Sequence, residues 1–222
     1  IVNFFNISPD KVEVVYLAAD NFFKKLDLSN INKEILKKYN ISKKYILSVG
    51  TIEPRKNFTA LIKAFNAAKK RSTDFNYKLV IAGRTGWKSE ATYREKEASP
   101  YKDDILFTGK VSDDDLLQIY NQAELFVFPS VFEGFGLPPL EAMSCGLPVI
   151  ASNCSSLGEI IGNAGILISP TDIKQIQKHI LAVTENKNIK ENLVKKSLAQ
   201  AKKFAWAKTS VGTLSTYKKC IK

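Results

Sequence analysis

Residues 125–152 read LFVFPSVFEGFGLPPLEAMSCGLPVIAS, and the way this stretch is parsed decides the fold. Leu125–Phe128 is an apolar run with no polar face, and so is Val149–Ala151. Between them, Gly134 and Gly136 let the backbone turn, and Pro138 with Pro139 opens a helix reaching Cys145. Apolar strands joined through helices mark a parallel sheet covered on both faces, because each strand is buried above and below. Glu133 and Glu141 bracket the glycines, which a purely structural turn would not require.

The same alternation continues outward. It predicts strands over Tyr45–Val49, Tyr77–Ala82, Ile105–Thr108 and Gly165–Ile168, and helices over Phe58–Lys70, Ala91–Ala98, Ser112–Asn121 and Ile173–Thr184. Ser112 followed by Asp115 has the spacing of a capping box. The expected fold class is α/β, a Rossmann-like doubly wound parallel sheet. The two ends leave this rhythm. Val12–Tyr16 is a strand candidate, Leu28–Tyr39 a polar connecting helix, and Lys187–Lys203 and Trp206–Lys219 are basic C-terminal helices.

The 222 residues, 45% hydrophobic, are enough for a sizeable core. No apolar run is long enough to cross a bilayer, and the start carries no leader pattern. The first residue is Ile rather than Met, so a fragment of a longer protein is expected. Three cysteines without paired spacing and one histidine argue against a zinc site and fit a reducing, cytoplasmic setting. The net charge is +11, and residues 187–222 hold ten lysines against Glu191 alone. Such a tail is either a solvated helical face or a patch for an anionic membrane. Scarce arginine and aromatics that are not interleaved with the lysines weigh against nucleic acid.

In a doubly wound sheet, ligands bind beyond the carboxyl ends of the strands. The loops there are 50–57, 83–89, 109–111, 129–138 and 152–159. In GTIEPRKN (50–57), Arg55 and Lys56 arrive just before a helix, where cations and free amides together suit a diphosphate. The amides around Gly134, Gly136 and the first turn of the next helix would favour an anion. A carboxylate at 141 can accept two hydrogen bonds from a vicinal diol such as a ribose, and Glu133 could grip sugar hydroxyls. A glutamate early in a helix is also favoured by the dipole alone, so each carboxylate gains meaning from the others.

The segments VGTIEPRKN (49–57), LVIAGRTGW (79–87), ILFTGKVSDDDLLQIYNQAELFVFPS (105–130), EGFGLPPLEAMSCGLPVIAS (133–152) and AGILISP (164–170) resemble, in order and spacing, glycosyltransferase family 4, also called glycosyl transferase group 1. The likeness spans residues 45–220 and is nearest in look to bacterial mannosyltransferase-like enzymes. Glu133 and Glu141 match that family's E-x7-E signature. The resemblance implies a GT-B architecture of which this chain is the C-terminal, donor-binding half. Residues 45–222 would form the nucleotide-sugar-binding domain, and 1–44 the tail of the N-terminal domain and its linker.

By the same resemblance, Glu141 would hold the ribose. Glu133 and the backbone of Gly134, Phe135, Gly136 and Leu137 would touch the sugar. Lys56 and Arg55 would neutralise the diphosphate, with Gly50 and Thr51 beside them. Gly83, Arg84 and the loop Thr108, Gly109, Lys110, Val111 would line the nucleotide. Many relatives carry arginine at the position of Thr51 and proline before the glutamate at 159, where this chain has Gly158. No metal is implied, and no cofactor beyond the donor itself, a GDP- or UDP-sugar.

The function expected is retaining transfer of a hexose, mannose among the candidates, to a glycan or lipid-linked acceptor in surface polysaccharide synthesis. The setting would be cytoplasmic, with peripheral contact at the inner face of the plasma membrane. Without the acceptor half, the chain would bind donor and transfer nothing. The alternatives are a GT-B nucleotide-sugar epimerase and a non-enzymatic basic module that docks on membrane.

Overall fold

A computed structural model describes residues 1–41 and 44–221. Ser42, Lys43 and Lys222, which fall inside the expected ranges 1–44 and 45–222, lie outside the described residues. The strands are β1 (Tyr45–Val49), β2 (Lys78–Ala82), β3 (Ile105–Gly109), β4 (Leu125–Phe128), β5 (Val149–Ser152) and β6 (Ile166–Ile168). They form one parallel sheet in the order β3-β2-β1-β4-β5-β6. The doubly wound reading holds.

The helices are α1 (Val2–Phe5), α2 (Glu34–Lys38), α3 (Phe58–Arg71), α4 (Glu90–Glu97), α5 (Asp113–Gln122), α6 (Leu137–Ser144), α7 (Leu157–Ile161), α8 (Ile173–Glu185), α9 (Lys187–Ala201) and α10 (Trp206–Cys220). Adjacent strand residues point to opposite faces, and the sheet therefore has two cores. Ile46, Leu79, Ile81, Leu125 and Val127 pack with Phe58, Leu61 and Phe65 of α3 and with Ile176 and Ile180 of α8. Leu47, Val80, Phe126 and Phe128 face the other way, against Ile119 and Tyr120 of α5 and Met143 of α6.

The chain winds from β1 through β2 to β3, then returns to β4 on the opposite side of β1. The helices that follow β1 and β4 therefore diverge, and a crevice opens between the two strand exits. The exits of β1 and β2 are themselves close: a Cβ at Gly83 would lie 2.0 Å from the carbonyl oxygen of Gly50.

Three local expectations change. Val12–Tyr16 forms no strand. It runs along α10, where the Tyr16 carbonyl accepts from Thr209 Oγ1 at 2.7 Å and Val15 faces Gly212. Leu28–Tyr39 is broken into a 3-10 turn, Leu28–Asn30, and the short α2. The carbonyls of Asn30 and Asn32 are taken instead by Gln118 and Gln122 of α5. The loop expected over 152–159 is cut short, because α7 begins at Leu157. The box at Ser112 is half made: its hydroxyl accepts from the Asp115 amide at 3.3 Å, while Lys38 and Tyr39 engage the Asp115 carboxylate. Among the described residues, no helix is long and apolar enough to cross a membrane.

Candidate functional site

The loops leaving β1 and β4 meet at the crevice. After β1 comes a single 3-10 turn, Pro54–Lys56, closed by Asn57 in the left-handed region at φ 55°. The Asn57 side chain donates to the carbonyls of Pro129 (3.1 Å) and Pro170 (2.7 Å), tying the exits of β1, β4 and β6 together. The Val131 amide and the Ser130 hydroxyl both donate to the Arg55 carbonyl at 2.9 Å. These bonds bring three predicted site residues into contact.

Lys56 Nζ lies 2.7 Å from Glu133 Oε1, and Arg55 Nη1 lies 2.8 Å from Glu133 Oε2. Ser130 Oγ donates to Glu133 Oε1 at 2.5 Å. The Lys56 and Glu133 side chains are 8% and 9% exposed, so this pair is shielded from water. The Phe128 ring lies 4.7 Å from the ammonium. A Cβ at Gly50 would press to 3.0 Å from Lys56 Cε, so glycine leaves room for the lysine stem. Arg55 also pairs with Glu53 at 2.7 Å, and the other Glu53 oxygen accepts from the Trp87 indole at 3.1 Å. Two cations thus face two carboxylates. The turn is not a bare cationic cradle, because Glu133 already occupies the place of an anion.

Beyond Glu133 the chain passes through Gly134, Phe135 and Gly136 into α6. Gly136 has φ 109°, and a Cβ there would lie 2.7 Å from the Leu157 side chain. The first turn of α6 cannot present a full set of amides, since Pro138 and Pro139 have no N–H. The preceding loop makes up the number. Among the described residues, the amides of Gly134, Phe135, Gly136 and Leu137 donate to no protein acceptor. Serines at the start of α7 hold this loop from behind. Ser155 Oγ accepts from the Glu133 amide at 2.9 Å, and Ser156 Oγ donates to the carbonyls of Glu133 (3.1 Å) and Phe135 (2.7 Å).

Glu141 stands in a different setting on α6. Its Oε2 accepts from the Tyr120 hydroxyl at 3.0 Å, and among the described residues no cation pairs with it. Burial pushes its carboxyl up to about 7; the Tyr120 bond opposes this, and the charges of Asp113 and Asp20 add to it. The structure therefore brings Arg55, Lys56 and Glu133 together and leaves Glu141 in a second, cation-free site one helix turn on.

The remaining predicted residues line the same sheet edge without touching the ion pairs. Thr51 is half-buried, its methyl pressed where a Cβ at Gly86 would be. Gly83 donates to the Gly109 carbonyl at 3.0 Å, and the exposed Arg84 offers its carbonyl to the Ile52 amide at 2.9 Å. Thr108 and Gly109 end β3, the edge strand, and Lys110 and Val111 follow it, with Lys110 exposed and Gly109 at φ 71°. Sequence reasoning missed Glu53, Trp87, Ser130, Ser155 and Ser156. Glu53 sat two residues before Arg55 in a turn already singled out, but hydroxyls in loops carry no signal of their own. Among the described residues, no cluster of three or more His, Cys, Asp or Glu is placed to hold a metal ion.

The model of the family described as glycosyl transferases group 1 matches residues 31–200. O-antigen chain mannosyltransferase B of Escherichia coli is 36% identical over 98% of this chain and 57% of its own length. The chain thus spans little more than half of that relative. A glycosyltransferase from Rickettsia africae superposes with a TM-score of 0.84 at 20% identity, covering 98% of this chain and 59% of that one. An Anabaena protein solved in complex with UDP and glucose gives 0.81 at 18% identity, covering 93% and 57%. Likeness at that level of identity is a likeness of fold.

Proposed function

The chain belongs to the glycosyl transferases group 1 family, and from that membership we propose that it is the donor-binding half of a retaining hexosyltransferase. One observation carries the reading. Lys56, Arg55 and Glu133 are joined at the exits of β1 and β4, beside four amides without protein acceptors, at the point where the sheet order reverses. A nucleoside diphosphate sugar matches that set. Its diphosphate would take over the two cations from Glu133, and its phosphate oxygens or sugar hydroxyls would accept from the loop amides. Glu133, released from Lys56, would turn to the hydroxyls of the sugar. Glu141, apart from the cations, suits a neutral diol such as the ribose.

When the bond from the anomeric carbon to the phosphate oxygen breaks, the electron pair leaves with the diphosphate. Lys56 and Arg55 lower the cost of that charge, the acceptor oxygen forms the new bond to the anomeric carbon, and its proton passes to the departing phosphate oxygen. Mannosyltransferases among the relatives favour mannose as the sugar and a surface glycan as the product. The donor is a GDP- or UDP-sugar, with no resident metal or other cofactor. Residues 1–44 are the exit of the acceptor-binding half, and 45–222 the donor domain. The enzyme works in the cytoplasm, its lysine-rich C-terminal helices lying near the anionic inner face of the membrane.

Calorimetric titration of the chain with GDP, UDP and their hexose conjugates tests this. One conjugate should bind, Lys56→Ala and Glu133→Ala should weaken it, and the chain should transfer no sugar by itself. Binding of every nucleotide unaffected by both changes would refute the reading.

A further inference from the structure

Behind the loop amides lies an aromatic cluster that neither E-x7-E residue explains. The Phe135 ring sits between Tyr16, centroids 6.4 Å apart, and Phe204, 6.0 Å apart, and the latter two meet edge to face at 5.9 Å. Tyr16 is fixed at both ends. Its hydroxyl donates to Glu159 Oε2 of α7 at 2.8 Å, and its carbonyl accepts from Thr209 of α10. Phe204 lies two residues before α10, next to its N-cap Ala205. The loop that carries the free amides is therefore gripped by residues from near both ends of the chain.

We infer that Tyr16 and Phe204 are positioning residues, which clamp the Phe135 ring and so hold the amides of Gly134–Leu137 in register for the diphosphate-sugar end of the ligand. This rests on the donor-binding reading above. The rings are not sealed in a core: Tyr16 is 45% exposed, and a cavity of about 480 Å³ opens beside it, lined by Glu159, Lys203 and Phe204. Phe135 and Phe204 are half-buried beside it. Their paired geometry adds to the hydrogen bonds from Ser155 and Ser156 in holding a glycine-flanked loop, in which a Cβ at Gly134 would meet nothing within 4 Å. Val15, next to Tyr16, packs at Gly212 of α10 and so ties the clamp to that helix.

The test uses the whole chain with Tyr16→Ala, Phe204→Ala and the conservative Tyr16→Phe. Each alanine change should weaken a GDP- or UDP-hexose about tenfold, the scale of a lost aromatic pair. Binding of the matching nucleoside monophosphate, which lacks the gripped end, should not change. Tyr16→Phe keeps the ring and should restore most of the affinity. Hydrogen exchange over residues 131–140 in the ligand-free chain should speed up in both alanine variants. Unchanged exchange, or equal losses for both ligands, overturns the clamp. A wild-type chain that binds no nucleotide while its exchange responds overturns the donor reading instead.

Discussion

Glu133 and Glu141 are eight residues apart, and they live under opposite electrostatic conditions. Glu133 is shielded from water but meets Lys56 and Arg55 within 2.8 Å and a serine hydroxyl besides. Its charge is compensated. Glu141 has a tyrosine hydroxyl and, among the described residues, no cation, and burial holds its carboxyl at about 7. One glutamate is held in ion pairs, from which a stronger anion can displace it. The other hovers between charged and neutral at cellular pH, free to accept from or donate to a hydroxyl. The difference shows that one fold edge can carry two carboxylates in opposite electrostatic surroundings.

Four changes would break or sharpen that contrast. The largest should come from Lys56→Met, which leaves the Glu133 carboxylate shielded with Arg55 alone. A loss of about 3 kcal/mol is expected from the urea midpoint, and a loss below about 1 would mean water already compensates Glu133.

Next is Glu141→Gln. The folded carboxyl titrates at about 7 against 4.5 in the unfolded chain, so the folded state binds the extra proton between those values. The native chain should then lose stability as pH rises through that window, by roughly 1–3 kcal/mol, while the glutamine variant stays flat. Melting curves at pH 5 and pH 8 decide it: parallel behaviour of the two proteins would show Glu141 to be ordinarily charged.

Tyr120→Phe should be milder. The lost hydrogen bond favours the ionised carboxylate, so its removal should move the titration of Glu141 further up, at a cost of about 1 kcal/mol. Carbon-13 NMR of the labelled carboxyl would read the direction, and a downward move would contradict the assignment of the bond. Least of all, Arg55→Lys keeps the charge but loses the fork that reaches both Glu53 and Glu133. With the side chain 37% exposed, less than about 1 kcal/mol is expected at low salt, and none at high salt.

Much of the sheet domain was legible residue by residue. Tyr45–Val49 and Leu125–Phe128 coincide with β1 and β4, and the other strands differ by a residue at an end. These runs are apolar on both faces, a signal present in the residues themselves. Val12–Tyr16 misled for the same reason: VEVVY has strand chemistry, but a segment needs a sheet neighbour, and α10 lies there instead. The start of α6 misled in another way. Prolines announced the helix correctly, and by the same chemistry denied it the amides that a helix start ordinarily presents.

The residues alone determined that this chain alternates strands and helices, where its glycines let the backbone turn, and which polar side chains stand in the loops at the strand exits. Periodicity, turn propensity and missing N–H groups act within a few positions, so they survive in a linear reading. The tertiary structure decided which of those side chains meet. Lys56 and Glu133 are 77 positions apart, and only the placing of β1 beside β4 makes them partners. It also decided that the carboxyl of Glu141 is pushed up, because solvation and distant neighbours set a carboxyl's pKa, and neither is written next to it in the chain.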